Sequence, residues 1–200
     1  MIAELGHAAL ILAFAVAIVQ MTVPLVGAHK RWVNWMAVAD PAATAQFVLI
    51  AFAFGALTYA FIVSDFSLRI VYLNSHSLKP MLYKVTGVWG NHEGSLLLWI
   101  LILAFFGACA SWFGRGLPPT LRARVLSVQS AVAVAFLAFL LFTSNPFDRL
   151  AFPPLDGQDL NPLLQDPGLA FHPPFLYLGY VGLSMSFSFA AAALIEGRVD

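Results

Sequence analysis

Residues 5–28 read LGHAALILAFAVAIVQMTVPLVGA, a stretch free of Asp, Glu, Lys and Arg. A helix needs about 20 such residues to cross the roughly 30 Å hydrocarbon core of a bilayer, and this stretch is long enough. No basic residue precedes it, and it exceeds the roughly 7 to 15 apolar residues of a secretory signal peptide. The segment is therefore predicted to be a membrane-spanning helix.

Four further segments along the chain likewise reach the roughly 20 residues needed and carry no charge. Of the 200 residues, 60% are hydrophobic and only 10% are charged, whereas soluble domains carry about 25% charged residues. This composition excludes a soluble globular domain and predicts an all-α integral membrane protein of about five transmembrane helices. The predicted spans lie near residues 5–28, 41–64, 94–114, 125–147 and 167–195.

The orientation in the membrane follows from the basic residues, because cytoplasmic loops of membrane proteins carry an excess of Lys and Arg. Six of the ten basic residues fall on one side of the predicted spans and four on the other. The two sets are Lys30, Arg31, Arg115, Arg122, Arg124 and Arg198 against Arg69, Lys79, Lys84 and Arg149. We therefore expect a multi-pass protein of the bacterial inner membrane, with its N-terminus and two longer loops, 65–93 and 148–166, in the periplasm.

The two long loops are rich in Pro, Gly and apolar residues, a composition that argues against disorder and favours binding segments. Their apolar residues, such as Leu68, Val71 and Met81, are predicted to lie on the membrane surface or to pack under a partner. Basic and acidic residues balance at ten each without a long basic run, so nucleic-acid binding is excluded. The single Cys109 allows neither a disulfide nor a CxxC motif.

The predicted spans contain uncharged polar residues but no ionisable Asp, Glu, Lys or Arg, which weighs against a transporter. Each polar side chain is expected to form a hydrogen bond between helices. These residues are Thr58, Gln129, Ser130, Ser184 and Ser188.

The first chemically distinctive motif is VWGNHEGS, residues 88–95, just before the third predicted span. Gly90 and Gly94 are expected to supply backbone angles closed to other residues, and Ser95 to cap a helix that begins at Leu96. The motif is not the HExxH of zinc proteases, since a leucine occupies the position of the second histidine. Trp89 is either an interfacial anchor or part of a site, and the role of His92 stays open.

The second motif precedes and opens the last predicted span, and reads NPLLQDPGLAFHPP over residues 161–174. Pro173 and Pro174 suit the first turn of a helix, whose amide donors have no partner there. His172 would then be held at the helix start, with Phe171 and other aromatic residues around it. Such a histidine has the features of an axial ligand for the metal of a flat apolar macrocycle, and the alternative is a solvated interfacial histidine.

These motifs resemble the CcmF/CycK family of cytochrome c maturation haem lyases. DFS (65–67), VWGNHEGSLLLW (88–99), NPLLQDPG (161–168) and FHPP (171–174) occur in the order and spacing of that family. The resemblance covers nearly the whole chain but only the N-terminal part of the family's usual length. Since the family's tryptophan-rich segment and second outer histidine lie further along, this chain alone is not expected to complete the lyase reaction.

The resemblance implies a membrane enzyme that attaches haem covalently to the thiols of an apocytochrome c CxxCH motif. It implies haem b as substrate and bound group, and as partners a membrane haem chaperone, apocytochrome c, other maturation subunits and the lipid bilayer. No nucleophile or acid-base pair is evident, so catalysis would consist of positioning. The alternative is a structural subunit that docks the apocytochrome or the chaperone without touching haem. The expected haem-binding residues are His172, as ligand to the haem iron, with Phe171, Pro173, Pro174, Trp89 and His92.

Overall fold

The computed structural model describes residues 1–197, apart from the side chain of Leu169, and this part of the chain contains no β-strand. Two 3-10 turns, Gly114–Gly116 and Pro162–Leu164, interrupt the connections between helices. The α-helices are α1 (Ile2–Lys30), α2 (Val33–Met36), α3 (Ala39–Ile62), α4 (Arg69–Asn74), α5 (Met81–Thr86), α6 (His92–Phe113), α7 (Pro119–Phe142) and α8 (Pro167–Glu196).

Five of the described helices, α1, α3, α6, α7 and α8, are long and apolar enough to cross a membrane. This confirms the predicted all-α membrane protein with five spans. Helix α1 packs along α3 and α7, while α6 packs against α3, α7 and α8. Helix α8 contributes the least buried surface and leaves most of its outer side exposed.

Helix α7 lies earlier in the chain than the predicted span 125–147. It begins at Pro119, where the missing amide hydrogen is not needed, and it ends at Phe142, four residues before Pro146. Its charged first turns are accommodated because Arg122 pairs with Asp40 at 2.9 Å and Arg124 pairs with Glu196 at 3.0 Å. Hydropathy marks the uncharged part of a helix, whereas these ion pairs let the helix extend beyond it.

One polar network inside the bundle joins α1, α3 and α7. The Ser130 hydroxyl donates to the Ala17 carbonyl at 2.8 Å, and the Gln46 amide donates to Ser130 at 3.3 Å. The buried Gln20 amide donates to the Leu126 carbonyl at 3.1 Å. The predicted role of Ser130 between helices is confirmed.

A second network joins α6, α7 and α8 through Gln129. Its amide donates to the Ser184 hydroxyl at 3.0 Å, and the Ser188 hydroxyl donates to its carbonyl oxygen at 2.8 Å. These contacts confirm the predicted helix-to-helix roles of Gln129, Ser184 and Ser188. The prediction for Thr58 is wrong, because its hydroxyl bonds the Phe54 carbonyl one turn back in the same helix.

The bundle has two distinct ends. At one end, Glu4 in the first turn of α1 pairs with Arg149, and His7 pairs with Asn145, so the N-terminus lies beside the segment that follows α7. The opposite end carries the Arg122–Asp40 pair. Arg198, counted above among the basic residues of that opposite side, lies outside the described residues.

Candidate functional site

The two long loops fold together into one cap over the end of the bundle where α1 begins. The Arg69 amide donates to the Asp148 carbonyl at 2.9 Å, and the Gln158 amide donates to the Tyr72 carbonyl at 2.8 Å. Leu68 and Val71 are fully buried in the main hydrophobic core. The prediction that the apolar loop residues lie on the membrane surface or under a partner is therefore wrong for these two, since the bundle itself covers them; Met81 is exposed.

A buried cation holds the cap together. The side chain of Lys79 is completely buried, and its Nζ lies 3.0 Å from Asp159 Oδ1 and 2.7 Å from the Asn74 carbonyl oxygen. Burial lowers the pKa of Lys79, and the hydrogen bond and charge of Asp159 oppose that change. Desolvation acts to raise the pKa of Asp159, but Lys79 and the Leu160 amide outweigh it and lower the pKa. The pair thus fastens the second loop to the first.

The turn VWGNHEGS is organised by Asn91. Its side-chain oxygen accepts from the Gly94 amide at 2.8 Å, while its side-chain nitrogen donates to the carbonyls of Gly87 and Val88 at 2.8 and 3.1 Å. Asn91 is therefore the N-cap of α6, and the prediction that Ser95 caps a helix beginning at Leu96 is wrong. The sequence signal for this helix cap is an asparagine three residues before Gly94, whose amide it accepts from.

Gly94 of this turn is required for space, and Gly90 is closely packed against a side chain. Neither is among the described glycines with positive φ, so the expectation of special backbone angles is wrong. A Cβ atom built on Gly94 would lie 1.7 Å from the Val88 carbonyl oxygen, and one on Gly90 would lie 3.1 Å from the side chain of Leu160. The chain folds back so closely that position 94 has no room for a side chain.

Ser95 instead links this turn to the last helix. Its hydroxyl forms a hydrogen bond with the hydroxyl of Tyr177, which lies in the third turn of α8. This contact joins the start of α6 to α8.

Helix α8 begins at Pro167, earlier than the prolines of the FHPP motif suggested. Pro167 opens the helix, and the Ala170 amide donates to the Asp166 carbonyl at 2.8 Å. The prediction that Pro173 and Pro174 form the first turn is wrong, because both lie inside the helix. His172 is consequently a residue of the second helical turn.

Trp89 joins the two motifs. Its indole Nε1 donates to the carbonyl oxygen of Ala170 at 2.8 Å, and its ring stacks on Phe54 of α3 with the centroids 6.4 Å apart. No local pattern indicates this contact, because it joins residues 81 positions apart in the chain.

Two cavities lie beside this junction, with volumes of about 360 and 450 Å³. His92 lines both of them, and its ring contacts Phe139 edge to face. The first cavity is lined by Thr86, Trp89, Gly90, Asn91, His92, Leu160, Leu164, Ala170 and Pro173, and the second by Asn91, His92, Ser95, Leu96, Trp99, Phe136, Tyr177 and Tyr180.

His172 and Phe171 lie on the exposed surface of α8, and neither lines either of these two cavities. Within residues 1–197, His172 forms no hydrogen bond or ion pair. At helical spacing it shares a face with Leu176, Gly179 and Leu183, which are all exposed. A Cβ atom on Gly179 would meet no atom within 4 Å. This face therefore combines an imidazole with free nitrogens and an open apolar surface.

Of the predicted site residues, the structure brings together Trp89, His92 and Pro173 around the first cavity. Pro174 is half-buried beside them without lining either of the two cavities, whereas His172 and Phe171 lie on the exposed surface. The six residues thus form an inner group, drawn from the turn at the start of α6 and from α8, and an outward-facing pair on α8.

Comparison with known proteins gives consistent matches. Residues 89–199 match the family described as Cytochrome C assembly protein. The chain is 74% identical over 200 residues to the cytochrome c-type biogenesis protein ccl1 of Rhodobacter capsulatus, and 56% identical over 201 residues to CcmF of Pseudomonas aeruginosa. Each match covers the whole chain and 31% of the relative.

A solved structure is also similar. The described fold superposes with a TM-score of 0.85 on a structure titled "Cytochrome c Heme Lyase CcmF", with 27% identity over 99% of this chain and 31% of that one. The chain thus spans about a third of the length of the proteins that it matches, and corresponds to their N-terminal part.

Proposed function

This chain belongs to the Cytochrome C assembly protein family, and on that basis we propose that it is the N-terminal part of a membrane haem lyase. In this proposal the protein holds haem b at the periplasmic face while apocytochrome c presents its CxxCH thiols. Each thiol adds across a haem vinyl group: sulfur bonds to one vinyl carbon and the thiol hydrogen goes to the other. The addition needs no oxidant.

The observation that carries this proposal is the exposed, unpartnered imidazole of His172 on an open apolar face. Haem is flat and largely apolar, and its iron accepts a neutral imidazole as axial ligand. His172 supplies that ligand, and the surface around Gly179 leaves room for a planar group. Phe171, which is 52% exposed, extends the apolar surface beside it.

The other residues of the site act from behind this face. Pro173, Trp89 and His92 line the cavity beneath the second turn of α8, so we assign them to the wall that supports His172. Pro174 lies next to them in the same helix. Their contribution is orientation, which is the part of such catalysis that a protein supplies.

An alternative role as a docking subunit is favoured by the outer surface of the cap. Phe152, Leu155 and Leu78 are almost fully exposed there, and exposed apolar groups of this size often mark protein contacts. In the leading proposal the same surface receives the membrane haem chaperone, the apocytochrome or another maturation subunit. Both roles can thus use the cap, and only the leading one requires His172 to bind iron.

The function is tested in a strain that lacks the gene. The intact gene is expected to restore covalently haem-stained c-type cytochromes, whereas residues 1–200 expressed alone should insert in the membrane and restore none, because one histidine supplies one axial ligand at most. Spectra of b-type cytochromes serve as the control and should stay unchanged. Full staining without the gene, or with residues 1–200 alone, would contradict the proposal.

The orientation is tested by thiol labelling, starting from a Cys109→Ser background. The exposed Leu155 in the cap and the exposed Arg115 at the other end are each changed to cysteine. A membrane-impermeant reagent applied to intact spheroplasts is expected to label position 155 and leave position 115 unlabelled until the membrane is opened. The reverse pattern would place the cap in the cytoplasm.

A further inference from the structure

The carbonyl group of Ala170 in α8 has neither of its usual helical donors. In an α-helix this carbonyl accepts from the amide of residue 174, and in a tighter 3-10 turn it accepts from residue 173. Both positions are proline, which has no N–H. Ala170 is 3% exposed, so bulk water has little access to replace the missing donor.

Trp89 supplies the donor that the helix cannot. Its indole Nε1 lies 2.8 Å from the Ala170 oxygen, in the normal range for such a bond. The indole is itself held, because its ring stacks on Phe54 with only 16° between the ring planes. The turn before α6, which Asn91 fixes, thereby holds α8 at the point where its own hydrogen bonding is interrupted.

His172 follows Ala170 by two residues and precedes Tyr177, which is bonded to Ser95. The histidine thus lies between two ties that bind α8 to the same turn. We infer that Trp89 is a positioning residue, whose bond to the Ala170 carbonyl sets the direction of the His172 imidazole. This inference rests on the proposed function, in which His172 ligates the haem iron.

The test compares Trp89→Phe in three backgrounds of the intact protein in detergent: unchanged, Pro174→Ala and Pro173→Ala. Trp89→Phe removes the N–H and leaves an aromatic ring. Pro174→Ala gives the Ala170 carbonyl its own α-helical donor. Pro173→Ala restores an amide whose partner, in the α-helical geometry that α8 has here, is the carbonyl of residue 169. The loss of ring volume is the same in all three backgrounds and cancels in the comparison.

Two quantities are measured. In haem-free protein, hydrogen exchange of the peptide covering residues 167–178 reports on the helix, and haem titration reports on the ligand. Trp89→Phe is expected to speed exchange and to lower haem affinity about tenfold, as loss of a group that orients a metal ligand typically does. In the Pro174→Ala background, Trp89→Phe should change the exchange rate and the haem affinity by less than about twofold. In the Pro173→Ala background, both effects of Trp89→Phe should persist.

The outcomes separate this inference from the proposed function. Three outcomes would overturn the positioning role of Trp89. They are an equal loss of haem affinity in all three backgrounds, equal rescue by Pro173→Ala and Pro174→Ala, and lost haem affinity with unchanged exchange. Faster exchange that only Pro174→Ala rescues, with unchanged haem affinity, would keep the Trp89 contact but overturn its role in orienting His172. In that case the proposed function itself fails only if His172→Gly also keeps its haem.

Discussion

Replacing His172 with glycine in the intact protein is expected to lower haem occupancy at least about tenfold and to abolish cytochrome c maturation. The estimate is a lower bound, because loss of a group that merely orients a metal ligand already costs about 10- to 100-fold in metal affinity. His172 is exposed and has no hydrogen bond or ion pair among the described residues. Its removal therefore breaks no hydrogen bond or ion pair among the described residues, and the expected loss is one of haem rather than of fold.

Rescue by added imidazole is the sharpest test of this variant. It can occupy the position left by the side chain, so haem content and the absorption spectrum should recover with imidazole concentration. Pro173→Ala, which leaves the ligand in place, should have a smaller effect than His172→Gly. The control is His29→Gly, another exposed histidine, at the opposite end of the bundle. Normal haem occupancy and an unchanged spectrum in His172→Gly would favour the docking-subunit role.

The membrane helices could be predicted from the sequence because their cause is local. A bilayer requires a continuous apolar segment of sufficient length, and each of the five spans contains one. The helix ends could not be predicted equally well. Helix α7 extends past its uncharged part through Arg122 and Arg124, whose partly buried charges pair with Asp40 of α3 and Glu196 of α8.

The candidate site shows the same division. Composition and motif order identify Trp89, His92 and His172 as candidate site residues. Their relative placement depends on contacts between distant parts of the chain. The bond from Trp89 to Ala170 exists because two prolines leave a carbonyl without a donor, and because a neighbouring turn brings an indole to it. Proline inside α8 resembles a helix start in the sequence, because the sequence shows the missing amide but not the side chain that compensates for it.

The second large effect is expected on stability, when Gly94 is replaced by alanine. A methyl group there would lie 1.7 Å from the Val88 carbonyl oxygen, a backbone atom that cannot rotate away. Relief requires the turn to open, which would break the bonds of Asn91 to Gly94 and to Val88. We therefore expect Gly94→Ala to lower the free energy of unfolding by about 3 kcal/mol, at the upper end of the usual effect of overpacking.

The matched control for Gly94→Ala is Gly55→Ala within α3, where an added Cβ meets no atom within 4 Å. Alanine at that helix position should be neutral or stabilising by up to about 1 kcal/mol, from helix propensity alone. Thermal and denaturant unfolding in detergent, with the yield of monodisperse protein, measures both variants. Because the strained turn also carries Trp89, Gly94→Ala should lose haem affinity even where some folded protein survives. Equal stability of the two variants would mean that the turn before α6 is wider than the structure indicates, and that its hold on α8 is correspondingly weaker.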